Sequence, residues 1–120
     1  MKRIAVLVGV FLAGATTMWM SGQVGNSWEK TEYVGHGITV IRARLAPHQK
    51  TEKHSHSGRY QIILTDGDMR TYGADGTAKD AHVTKGTAVW TDAMTHISEN
   101  IGSTPFEEID IIPDDQKSSR

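Results

Sequence analysis

The run His54-Ser55-His56-Ser57-Gly58-Arg59-Tyr60-Gln61-Ile62-Ile63-Leu64-Thr65-Asp66-Gly67, taken with His96-Ile97-Ser98-Glu99-Asn100 further along, decides how this chain is read. In an extended strand, residues two apart point to the same face. The imidazoles of His54 and His56 are therefore expected to converge on one ion. His96, on a strand brought alongside by hairpin folding, would close a facial triad. Three imidazoles suit Zn, Fe, Ni or Cu, and the cofactor expected is a divalent metal from that group or Mn. Counted in twos, Tyr60, Ile62 and Leu64 share parity with His54 and His56. That alternation predicts one even-numbered face holding both the ligands and core residues.

Working outward, the chain from Glu32 reads as strands divided by turns, with no convincing amphipathic helix. Ile38 to Leu45 is rich in β-branched residues, and Tyr60 to Thr65 repeats the pattern. Asp66-Gly67 predicts a two-residue turn joining Gln61–Thr65 to Asp68–Tyr72 as a hairpin. Asp75-Gly76 predicts a second turn, and Thr84-Lys85-Gly86 leads into Thr87–Thr91. Ser103-Thr104-Pro105 separates His96–Ile101 from Phe106–Ile112. Seven or eight short strands at this spacing predict an all-β, jelly-roll barrel, closed or double-sheeted.

The two motifs resemble those of the cupin superfamily. Its first motif is a His-x-His pair, then an acidic ligand, then a glycine ending the strand; its second runs from a glycine to a His and an Asn. His54, His56 and Gly67 match the first, and Gly86, His96 and Asn100 the second. The similarity spans about Ala46 to Ile112 and implies a single small barrel with His54, His56 and His96 as metal ligands. Two departures stand out. Tyr60, with Gln61 beside it, occupies the place of the family's glutamate ligand. Asp92 and Met94 replace the usual Pro and Gly. Tyr60 and Gln61 are thus the residues expected to contact a bound cofactor or ligand, and the phenol to sit inside the pocket where the carboxylate is missing.

Cupins range over dioxygenases, isomerases, decarboxylases, storage proteins and sugar-binding sensors, so the fold does not decide the activity. The expectation is a metal-binding cupin that also takes a small polar ligand. Two alternatives stay open. One is a metal-dependent dioxygenase, because thiol dioxygenases among the cupins also use three histidines without the glutamate. The other is a metal-free binding or structural module. His36, between Gly35 and Gly37, reads as a turn, His82 as exposed and His48 as a loop residue. Asn100 reads as structural, with its amide bonded to backbone in a turn.

The amino terminus has a separate reading. Lys2-Arg3 precedes a stretch from Ile4 to Met20 that holds no charged residue, the pattern of an export signal. Residues 1–22 are expected to be a signal peptide, or an uncleaved anchor through 4–20, near the lower limit of roughly 17 residues for a span. Residues 23–31 are expected to form a linker, 32–113 the barrel and 114–120 a polar tail. The domain is then periplasmic or secreted, or held at the inner membrane. With no cysteine, a lipid-anchored form and disulfides are excluded. The chain carries 13 Lys and Arg against 14 Asp and Glu, a net charge of −1, and no basic stripe, which argues against nucleic acid as a partner. Cupin barrels often pair through edge strands, so the resemblance leaves a homodimer open.

Overall fold

The computed structural model describes residues 28–117. The expected signal segment, 1–22, and the linker as far as Ser27 lie outside the described residues. Within them, nine strands are followed by one helical turn. In order these are β1 (Glu29–Gly35), β2 (Ile38–Leu45), β3 (His54–His56), β4 (Arg59–Ile63), β5 (Gly67–Tyr72), β6 (Ala78–Val83), β7 (Ala88–Thr91), β8 (Met94–Asn100), β9 (Phe106–Pro113) and α1 (Asp114–Lys117). They form two antiparallel sheets, ordered β1-β2-β9-β4-β7 and β3-β8-β5-β6. The expected jelly-roll is realised as a double sheet, because strand pairing does not run on into a closed ring. Among the described residues, no helix is long and apolar enough to cross a membrane.

Turn chemistry accounts for the hairpins. His36 (φ 51°) and Gly37 (φ 80°) reverse the chain between β1 and β2, and Tyr33 and His36 bond across the reversal. Gly76, at φ 88°, does the same between β5 and β6, where Gly73 N donates to Thr77 O at 2.9 Å. The left-handed backbone at such positions is what glycine accepts without a Cβ penalty. Gly86, at φ 89°, turns the chain toward β7.

The hairpin expected at Asp66-Gly67 does not form. β4 pairs with β7 and β9, whereas β5 pairs with β6 and β8, so Asp66 sits at a corner where the chain changes sheets. Its Oδ1 accepts from Lys85 N at 2.9 Å and pins that corner. Gly67 is already the first residue of β5 and lacks the positive φ that such a turn requires.

The domain also starts earlier than residue 32. Glu29 and Lys30 pair with Ala43 and Arg42, and the Trp28 side chain is buried against Ala43 and Leu45. Burying side chains such as Leu45 or Phe106 stabilises the fold by roughly 1.5–3 kcal/mol each. Between the sheets lies a cavity of about 450 Å³. Its lining includes the exposed His82 and Val89 on the edge strands β6 and β7, which places its mouth there.

Candidate metal centre

Cross-strand pairing assembles the three histidines. β3 and β8 are antiparallel neighbours in which His54 stands opposite His96, and His56 opposite Met94. His54 and His56 are two apart on β3, so all three rings project from one face of one sheet. Ring centroids are 4.6 Å apart for His54 and His56, 4.7 Å for His54 and His96, and 5.0 Å for His56 and His96. One nitrogen from each ring lies within 4.8 Å of the others. Ligands bound at about 2.0–2.1 Å from one ion sit somewhat closer together than that. The partnership is long-range and not the hairpin expected from sequence. The Ala46–Lys53 segment is zipped onto β8 instead, through Thr51 N to Ser98 O at 2.8 Å and Asn100 N to Gln49 O at 2.9 Å.

Local contacts prepare the rings for a metal. His54 Nδ1 lies 2.8 Å from the Glu52 carbonyl oxygen. A carbonyl only accepts, so Nδ1 carries the proton and Nε2 keeps its lone pair for a metal, with the hydrogen bond fixing the ring's orientation. Trp28 packs against the same ring at 4.5 Å. His96 is only 7 % exposed, and neither of its ring nitrogens has a hydrogen-bond partner among the described residues. Burial lowers the His56 pKa to about 2, helped by Arg59 and the other two histidines. Burial likewise lowers His96 to about 4, with His54 and Arg59 adding to it. Both are neutral at physiological pH, the form that binds metal.

The structure corrects the reading of Tyr60. The bend at Ser57–Gly58 separates β3 from β4 and reverses the alternation, so Arg59, Gln61 and Ile63 turn inward and Tyr60 outward. Tyr60 is 50 % exposed and packs edge-on against Trp90 at 4.9 Å. Leu64 is exposed for the same reason, and Ile63 takes the core position expected of Ile62. Gly58 is needed at the bend, since a Cβ there would stand 2.8 Å from the Trp90 ring. Gln61 does line the cavity, where its Nε2 donates to Glu108 Oε1 at 3.1 Å and its Oε1 accepts from Thr91.

Sequence reasoning missed a buried charged cluster beside the histidines. Arg59 is 1 % exposed and Asp110 is 2 % exposed, with Arg59 Nε 3.2 Å from Asp110 Oδ2. Arg59 and Glu108 line the cavity. Burial raises the pKa of both Glu108 and Asp110, with Arg59 opposing it. A signal was present: Glu108 and Asp110 share parity with Phe106 and Ile112, the buried apolar residues of β9.

The readings of the other histidines and of Asn100 agree with the structure. His36 and His48 lie in turns with positive φ, and His82 is exposed, bonded to Asp68 Oδ1 at 2.8 Å. The Asn100 side chain donates to Leu45 O, Ala46 O and Thr104 O and accepts from Gly102 N, which ties the end of β8 to two loops.

No family model and no curated protein matches this sequence. Solved structures do match. A cupin domain from Bordetella pertussis Tohama I superposes with a TM-score of 0.65 at 18% identity, over 71% of this chain and 90% of that one. The fold is that of a cupin. An RmlC-like cupin with a double-stranded β-helix fold from Methanocaldococcus jannaschii gives 0.59 at 17% identity, covering 82% and 90% of the two chains. Oxalate decarboxylase of Bacillus subtilis, described with Mn(II) centres, gives 0.51 at 26% identity over 66% of this chain and 22% of its own. In this chain the donor set fits a divalent first-row ion: three convergent imidazoles, two of them held neutral by burial and one with its tautomer set by a carbonyl. No carboxylate is among them.

Proposed function

We propose that this chain is a small exported cupin that holds one divalent metal through His54, His56 and His96 and takes a small polar ligand in the adjoining cavity. The observation that carries the reading is the convergence of three imidazole nitrogens within 4.8 Å at a cavity wall, with both nitrogens of the buried His96 free of hydrogen bonds. Buried polar atoms are ordinarily satisfied, and a metal shared with His54 and His56 would give one His96 nitrogen a partner. A divalent ion held there by three neutral imidazoles would supply Lewis acidity toward a ligand oxygen. Around it, Thr51 and the Glu52 carbonyl orient the His54 ring. The cavity of about 450 Å³ is within the usual range for small-molecule sites. Export rests on Lys2-Arg3 and the uncharged run from Ile4 to Met20.

The test is metal analysis of protein purified without a histidine tag, beside the His56→Ala variant. One equivalent of metal in the wild type, lost in the variant with the fold retained, supports the reading. Consistent absence of metal after incubation with Zn, Mn, Fe, Ni and Cu salts overturns it and leaves a metal-free cupin module.

A further inference from the structure

Arg59 has donors to spare. Its guanidinium carries five N–H groups and cannot be deprotonated in a protein. Its Nε lies 3.2 Å from Asp110 Oδ2 in a geometry that makes no hydrogen bond, and Nη1 is buried with no hydrogen-bond partner among the described residues. Such an orphan is uncommon, because a buried donor left unmet loses its hydration with nothing in return, the more so when charged. Nor is Arg59 remote from the open space: it lines the same cavity as His56 and His96. The rest of the lining is largely apolar, with Leu45, Ile63, Met69 and Phe106 among its walls.

We propose that the cavity is selective for a small carboxylate with an apolar body, whose anionic end is bound by Arg59 while the remainder lies along the apolar wall. The inference rests on the metal reading above only for orientation, since His54, His56 and His96 line the same cavity. Planar guanidinium and planar carboxylate match as a two-bond pair, which an amide or alcohol does not reproduce. Asp110 does not preclude this, because it faces Nε and leaves Nη1 unmatched. Glu108 does not repel the anion either: its pKa is raised to about 8, chiefly by burial and then by Asp110, so near neutrality it is largely an uncharged O–H donor. A carboxylate entering the site would therefore meet unmet guanidinium N–H donors and, if a metal is bound, a centre of positive charge.

The experiment is calorimetric titration of the full-length protein, zinc-loaded and metal-stripped, with acetate, pyruvate, malonate and benzoate and with the corresponding uncharged amides. Arg59→Gln alone strands Asp110 and endangers the fold, so the decisive variant is the double Arg59→Gln, Asp110→Asn, which keeps the pair neutral. Its fold is checked by circular dichroism and its zinc content by metal analysis. We expect at least one carboxylate to bind the wild type ten-fold or more tightly than its amide. The double variant should lose that preference while retaining zinc. Equal binding of acid and amide, undiminished carboxylate binding by the folded double variant, or no binding of any of the four acids overturns the proposal. If no acid binds a protein that holds one zinc, only this proposal falls. If the acids bind through Arg59 to protein that takes up no metal, it is the metal reading that falls.

Discussion

His54 and His96 are cross-strand partners on β3 and β8, directly opposite in register and with ring centroids 4.7 Å apart. The pair sits on the inner face of the sheet, and His56, two residues along β3, completes the set from the diagonal position. Because all three ligands come from two adjacent strands, the site depends on one pairing register. A slip of one residue would turn His96 to the other face.

Tyr60→Glu should leave metal affinity unchanged to within about two-fold in a chelator-competition assay, where a factor of ten would correspond to about 1.4 kcal/mol. The side chain is half exposed on the outer face and packs on Trp90, so a carboxylate there does not reach the histidines. Tightening by ten-fold or more would show that β4 faces the other way.

In the metal-free protein, His96 should cost stability on acidification. Its folded pKa, about 4, is below its unfolded value of 6.5, so the unfolded chain binds more protons in that window. The histidine's contribution is intact above pH 6.5 and falls by up to about 1.4 kcal/mol per pH unit as the pH drops toward 4. Glu108 and Asp110, with raised values, act in the opposite direction. The comparison is therefore urea unfolding of wild type against His96→Gln at pH 7, 5.5 and 4.5. The wild type should lose ground to the variant at each acidic step, and a constant difference would exclude the shift.

Removing one partner of the Arg59–Asp110 pair should destabilise by about 3–5 kcal/mol, because the other charge is left buried and alone. Arg59→Gln or Asp110→Asn should each show this in chemical denaturation, and the double variant should recover a large part of the loss. Additive single effects would mean that the two charges do not interact.

Asn100→Ala should cost about 2–4 kcal/mol, since three backbone carbonyls and one N–H lose a partner in a buried setting. The expected consequence is a lower melting temperature together with faster amide exchange in the Ala46–Lys53 segment. Metal affinity should fall as well, because that segment leads into His54.

Cell fractionation should recover the chain outside the cytoplasm, shortened if the segment ahead of residue 22 is cleaved and membrane-bound if it is not. Intact, soluble chain in the cytoplasm would contradict export.

What the sequence determined by itself is local or periodic. The β-branched run Ile38–Leu45 is a strand over those residues, and the turns at His36, Asp75-Gly76 and Lys85-Gly86 follow from residues that accept positive φ. The spacing of His54, His56, His96 and Asn100 singled out the residues that the fold brings together, because a period of two places the first pair on one face wherever the strand is unbroken. Tertiary structure decided the rest. Counting in twos fails across the Ser57–Gly58 bend, so only the folded chain shows that Arg59 and Gln61, and not Tyr60, face the cavity. The same holds at Asp66-Gly67, where a turn signal reports that the chain reverses but not which sheet it enters next. The buried cluster of Arg59, Glu108 and Asp110 is the strongest case. Charged residues in a strand read as solvated until β9 is seen pairing with β4, a contact between distant segments that no local pattern encodes.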